Sequence, residues 1–256
     1  MEPAAGYPPE EHARRAASFG TQALAYAEYR PTYPVAMVDW GLAAVRDAAD
    51  LAVLDLGAGT GKLTEVLAGM GLAVTAVEPD PAMLAQLRAR LPGVPAFQGP
   101  AEDIPLPDDS VNAVLVGQAL HWFDLDRAVP EIHRVLRPGG VLVTAWNGYD
   151  DRVPWVARMS AEADSVTWSK NDEDGLLPPI AALGHCERGD FRHGMPRTVD
   201  SMVDTIATQS WLLTSTPEHR ADVLARVRAL LLADPATATG EFTVPLVATA
   251  FRITFD

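Results

Sequence analysis

Three glycines at alternate positions, Gly57, Gly59 and Gly61, end an apolar run and open a helix-compatible stretch. Glycines at a strand-to-helix turn let a ligand approach the backbone, and the first N–H groups of the helix are free to bond it. Two acids flank the turn: Asp55 lies two residues before the first glycine, and Glu78 ends the next apolar run. A phosphate-binding P-loop needs G-x-x-x-x-G-K-[ST]. Lys62 does follow Gly61, but Leu63 comes next and no glycine stands five positions before Gly61, so that reading fails. A dinucleotide fingerprint needs G-x-G-x-x-G, and Lys62 occupies its third glycine position. What remains is acidic-x-G-x-G-x-G, a turn whose ligand need not carry phosphate.

The elements that must hold this turn can be read along the chain. "LAVLDLG" is a continuous apolar run, as expected of a buried parallel strand. A helix over Gly61–Met70 follows, then a strand over "AVTAVEPD". Asp80 as N-cap and Pro81 at the first helical position open a helix over "PAMLAQLRARL". "VPAFQG" reads as a short third strand and "VNAVLVGQAL" as a fourth. A helix over Asp126–Leu136 stops at Arg137-Pro138-Gly139-Gly140, and "GVLVTAWN" is a fifth strand. Strands and helices alternating at this spacing predict an α/β, doubly wound, mostly parallel sheet. Upstream, helices are predicted over Phe19–Arg30 and Val35–Ala48. Downstream the regularity weakens. Helices are predicted over Val153–Val166, "TVDSMVDTIATQSWLL" and "TPEHRADVLARVRALLLA", and one or two strands over "GEFTVPLVATAFRITFD".

At "VLDLGAGTGKLT" and "VEPD" the chain resembles the class I S-adenosylmethionine (SAM)-dependent methyltransferases. The likeness runs on through "GPAEDIPLPDDSVNAVLVGQALHWFD" and "EIHRVLRPGGVLVTAW". With "YAEYRPTYP" and "LHWFD", the chain is similar to the trans-aconitate methyltransferase-like group of the small-molecule (methyltransferase type 11) branch. The resemblance implies a seven-stranded Rossmann-like sheet and SAM as cofactor, leaving S-adenosylhomocysteine as product. It implies an N-terminal helical cap over 1–36 and a methyltransferase domain over 37–256, with 150–215 as a substrate lid. The glycine turn Gly57, Ala58, Gly59, Gly61 would cradle the amino-acid moiety, with Asp55 ordering the turn or reaching the amino group. Glu78 would accept from both ribose hydroxyls, a charge-assisted pair. Pro79 and Met83 would flank the adenine, and Ala101 and Glu102 would read it. Pro100 stands where many relatives carry Asp, and it offers neither a side-chain acceptor nor an N–H. Tyr26 and Arg30 would close over the SAM carboxylate, although Arg30 could equally bond a helix C-terminus. Gln118 would line the methionine portion.

His121, in "GQALHWF" at the carboxyl edge of the sheet, is the candidate general base, because its free pKa lies near neutrality. The alternative is a histidine that simply packs beside Trp122. Trp155, Trp168, Phe191 and Trp211 could enclose an acceptor or form the lid's own core. Arg152, Arg158, Arg192 and Arg197 would suit an acidic acceptor, as surface arginines also would. His185, Cys186 and His193 match no zinc spacing, and no metal is expected.

Formal net charge over the 256 residues is −14, with lysine only at positions 62 and 170. That field repels phosphate backbones, so a nucleic-acid partner is not expected. Cys186 is the single cysteine, which excludes an intrachain disulfide and fits a reducing, cytoplasmic location. Neither a signal peptide nor a membrane span is expected. The expected activity is methyl transfer to a small molecule through an O, N or C nucleophile, a carboxylate included. The alternatives are a nucleotide-cofactor oxidoreductase and a SAM-fold protein that binds without methylating. Nothing in the sequence decides between monomer and homodimer.

Overall fold

The computed structural model describes residues 30–163, 183–213 and 215–255. Seven strands form one sheet: β1 (Ala52–Leu56), β2 (Ala73–Glu78), β3 (Ala96–Gln98), β4 (Val111–Gly117), β5 (Leu136–Tyr149), β6 (His185–Arg197) and β7 (Phe242–Thr254). Their spatial order is β3-β2-β1-β4-β5-β7-β6. The first five run parallel, and β7 runs antiparallel to both of its neighbours. The reversal of strand order on either side of β1 opens a crevice at its carboxyl end, where open α/β sheets bind ligands.

Period-two alternation sends successive side chains to opposite faces of the sheet. Leu54 and Leu56 of β1 join Val114, Leu142 and Trp146 under helix α4 (Leu125–Val135), while Val53 joins Ala113, Val141 and Val143 under α1 (Val35–Gly41) and α2 (Lys62–Gly69). Each fully buried Val or Leu contributes roughly 1.5–3 kcal/mol. The remaining helices are α3 (Pro81–Arg90), α5 (Pro154–Glu162), α6 (Val199–Ala207), α7 (Ser210–Leu213) and α8 (Pro217–Ala233). As the sequence predicts, the Asp80 side chain caps α3, accepting from the N–H groups of Ala82 and Met83.

β5 ends at Tyr149 opposite Leu246, so Phe242–Pro245 of β7 and Gly194–Arg197 of β6 run on beyond it. Met195, Phe242 and Val244 on this extension, with Leu246 at its base, form a separate core with Trp155, Met159, Met202, Ile206, Val223 and Val227. A helical cluster therefore stands at the carboxyl edge of the sheet.

Several boundaries differ from the sequence reading. The cap boundary at 36/37 falls inside α1, and α1 gives way to turns after Gly41 instead of continuing to Ala48. Arg137–Gly140 lies within β5, where the pairing with β4 shifts register and Gly139 takes φ 76°. The stretch expected as one helix from Thr198 to Leu213 divides into α6 and α7, with Thr208 as the α6 C-cap. The chain closes on one strand of 13 residues. Within 150–215, the stretch expected as a lid, His185–Arg197 is the edge strand of the main sheet. The predicted helix over Phe19–Arg30 lies outside the described residues except for Arg30. Among the described residues no helix is long and apolar enough to cross a membrane.

Candidate functional site

The glycine turn hangs from β2: the N–H groups of Gly57 and Ala58 both donate to the Val77 carbonyl, at 2.9 and 3.1 Å. Gly57, Gly59 and Gly61 have φ of 70°, 56° and 87°, all left-handed. At Gly57 the demand is also steric, since a Cβ there would come within 2.7 Å of Ala119 Cβ. Gly59 differs, with only Met83 Sδ nearby, 3.8 Å from such a Cβ. Backbone is thus laid bare between the ends of β1 and β4, with the N-terminus of α2 behind it.

Two carboxylates are buried against this turn. Thr64 of α2 donates its hydroxyl to Asp55 Oδ2 at 2.5 Å. Asp55 is 1% exposed, and its Oδ1 has no hydrogen-bond partner among the described residues. Burial, reinforced by the neighbouring Glu78 charge, pushes the Asp55 pKa up to about 7 despite the Thr64 hydroxyl. Glu78 Oε2 accepts from the Gly59 N–H at 2.8 Å, and its Oε1 accepts from the Asp80 N–H at 2.9 Å. Burial raises the Glu78 pKa above the ordinary carboxylate value, with the two backbone N–H groups opposing the shift. Each Glu78 oxygen keeps acceptor capacity for a further donor.

The predicted residues distribute unevenly around this centre. Met83 is buried beside Gly59, and Ala58 sits in a small core with Ala76 and Leu87. The Pro79 carbonyl accepts from Gln98 Nε2 at 3.2 Å. Ala101 belongs to the core under α4. Glu102 Oε1 accepts from the Asp124 N–H at 2.7 Å, which ties the loop after β3 to the start of α4. Gln118 is one of two non-glycine residues with positive φ among those described, at 58°, and it donates from Nε2 to the Asn147 carbonyl at 3.1 Å. A non-glycine backbone held in this sparsely populated region at a strand end points to a site under constraint. Arg30 Nη2 donates to the Thr208 carbonyl at 3.1 Å, at the C-terminal end of α6, where a cation is favoured by the helix dipole. Tyr26 lies outside the described residues.

His121 follows on a short 3-10 turn, Leu120–Trp122, with its ring 4.6 Å from that of Trp122. Trp146, 2% exposed, donates its indole N–H to His121 Nδ1 at 3.5 Å. An Nδ1 that accepts places the proton of a neutral ring on Nε2. So arranged, Nε2 is a donor, and taking a proton there requires the other tautomer.

The aromatic residues expected in the lid have separate fates. Trp155 packs edge-on against Phe242 inside the helical cluster, ring centroids 5.7 Å apart. Phe191 lies on β6 against Trp40 of α1, at 5.6 Å. Trp168 and the Trp211 side chain lie outside the described residues. Arg152 and Arg158 pair with Asp150 and Asp234. His185, Cys186 and His193 all lie on β6, and His193 Nε2 bonds Asn147 Oδ1. Among the described residues no group of three or more His, Cys, Asp or Glu could hold a metal ion. The sequence reading missed Thr64, whose signal was its place one turn into the helix after the glycines. It also missed Asn147, signalled only by a polar residue closing the fifth strand.

Comparison with known proteins agrees with this fold. Residues 54–144 match a family model described as a methyltransferase domain. The chain is 43% identical over 238 residues to an uncharacterized methyltransferase of Mycobacterium tuberculosis, covering 93% of this chain and 95% of that one. It is 31% identical over 184 residues to a protein of the same organism named as a probable S-adenosylmethionine-dependent methyltransferase, covering 68% and 66%. Among solved structures, a protein assigned as a type II methyltransferase from Anaeromyxobacter dehalogenans superposes with a TM-score of 0.67 at 25% identity, covering 88% and 98%. SAM fits the residues present: a bare backbone cradle, a buried carboxylate oxygen in want of a donor, and a second carboxylate with acceptor capacity to spare. The chain belongs to the class I S-adenosylmethionine-dependent methyltransferases.

Proposed function

We propose that this enzyme methylates a small-molecule acceptor held between the glycine turn, the Gln118–Trp122 turn and the helical cluster. The observation that carries the reading is the pair of buried carboxylates on one backbone cradle, Asp55 with an oxygen lacking a partner and Glu78 braced by two N–H groups. Asp55 would take the ligand's ammonium, directly or through water, and Glu78 its ribose hydroxyls. Pro79 and Met83 would face the adenine from one side, with Ala101 and Glu102 at the loop after β3. Tyr26 and Arg30 would close on the carboxylate.

Bound SAM supplies a methyl group on a sulfonium, a leaving group already activated. The chain's own task is then alignment, and orienting two reactants can be worth roughly 7–11 kcal/mol. The rigid strand ends at Gly57 and Gln118 serve that purpose. No general base is obligatory: a carboxylate acceptor needs none, whereas a hydroxyl or acidic carbon would call on His121 after a tautomer exchange. The net charge of −14 argues against nucleic-acid acceptors, and the single cysteine fits a cytoplasmic enzyme.

The test is to incubate the full chain with SAM and a panel of small carboxylic acids, phenols, alcohols and amines while measuring S-adenosylhomocysteine release. Acceptor-dependent release above the solvent background is expected. Release that depends only on added RNA or protein would overturn the small-molecule reading, and the absence of release with every acceptor class would favour a binding role.

A further inference from the structure

Asn147, near the end of β5, joins three elements that the cofactor contacts do not otherwise connect. Its backbone carbonyl accepts from Gln118 Nε2 at 3.1 Å, its Nδ2 donates to the Thr32 carbonyl at 3.0 Å, and its Oδ1 lies 2.8 Å from His193 Nε2 on β6. These partners fix the amide's orientation. The Thr32 carbonyl can only accept, so the NH2 group must face it and Oδ1 must face the imidazole. His193 must then carry its proton on Nε2. Burial lowers the His193 pKa, which keeps that ring neutral near neutral pH.

Both ends of the contact border the proposed acceptor space. Gln118 holds its left-handed φ with its own N–H on the Ala145 carbonyl, at 2.8 Å, and leads directly into the turn bearing His121. Tyr33, next to Thr32, lies so close to the end of β4 that a Cβ on Gly117 would come 2.6 Å from its hydroxyl. The N-terminal segment and the Gln118 turn are therefore gripped by the same strand ends. Asn147 supplies the side-chain bond between them, and His193 orients that side chain.

We propose that Asn147 is a positioning residue of the methyl-transfer site, tying the N-terminal segment at Thr32 to the end of β5 beside Gln118, with His193 keying its amide. This rests on the reading that the segment and the turn bound the ligand space. Asn147→Ala removes the Thr32 bond yet leaves the backbone carbonyl that holds Gln118, so it isolates the tie.

The test uses the full chain with S-adenosylhomocysteine as the probe, reading association and dissociation rates together with amide hydrogen exchange over residues 30–35. Asn147→Ala should speed dissociation about tenfold with association nearly unchanged, and raise exchange in that segment. Asn147→Asp, almost the same shape, should behave alike, because it turns an oxygen toward the Thr32 carbonyl. His193→Leu should follow them, whereas His193→Gln, whose amide NH2 can still donate to Asn147 Oδ1, should stay near the unaltered chain. A purely structural role would not separate His193→Gln from His193→Leu in dissociation rate. Unchanged dissociation in Asn147→Ala, or identical behaviour of the two His193 variants, overturns the proposal alone. Failure of the unaltered chain to bind the probe would overturn the cofactor site and the proposal together.

Discussion

Around β1 and β2 the contacts that define the site are made by backbone N–H groups, left-handed glycines and two buried acids, Asp55 and Glu78. Beyond Tyr149 the helical cluster is made instead from apolar side chains closing on one another, rimmed by pairs such as Arg158–Asp234 and Arg226–Glu162. The first region keeps polar capacity unspent inside the protein, at an energetic cost. The second satisfies its groups internally. On the function proposed above, one serves a ligand and the other stability, so mutations in the two should move different observables.

The largest stability effect belongs to the helical cluster. Trp155→Ala, removing a 9% exposed indole from its core, should cost about 3–5 kcal/mol in urea unfolding. S-adenosylhomocysteine affinity below the transition should change by no more than about threefold. A large loss of affinity there would break the comparison.

Asp55 should behave in the opposite way. Its folded-state pKa, pushed up to about 7 by burial, lies above the ordinary carboxylate value, so the folded state holds this proton more tightly than the unfolded chain. Its contribution to stability is therefore fully present below about pH 4 and is lost as pH rises to about 7. Asp55→Asn, whose amide oxygen can still accept from Thr64, should escape that loss. It should gain on the order of 4 kcal/mol over the natural chain at pH 8 and almost nothing at pH 4, in thermal unfolding across pH. Its cofactor affinity should fall as its stability rises.

Glu78→Ala deletes the acceptor of two backbone N–H groups and the expected ribose contact. Calorimetric titration with S-adenosylhomocysteine should show about a hundredfold weaker binding, or about 2.8 kcal/mol. Smallest of all, Arg158→Ala breaks an ion pair whose arginine is 56% exposed and should cost less than about 1 kcal/mol, with affinity unchanged.

The same contrast explains what could be read from residue order. Gly57, Gly59 and Gly61 are a local chemical requirement, visible without a partner in space, and so are the buried strands β1, β2, β4 and the body of β5. β6 was hidden because "HCERGDFRHGMPR" carries charges, two glycines and a proline. As the edge strand it takes its register from β7 far along the chain, so the tertiary neighbour, not local propensity, makes it extended. Asn147 and His193 were illegible as a pair for the same reason, since 46 positions separate them. Arg152 and Arg158 looked available for a substrate only because their carboxylate partners, Asp150 and Asp234, could not be foreseen.

The placement of β7 also bears on how the sheet is completed during synthesis. Among the described residues β6 pairs with β7 alone, and the outer side of β5 waits for the same strand. Since β7 spans Phe242–Thr254, β6 and the outer edge of β5 must stay unpaired until that segment has left the ribosome. In that interval the edge of β5, including Val141, Val143 and Ala145, has no covering strand. A nascent chain stalled before Phe242 would present it as an open template for aggregation.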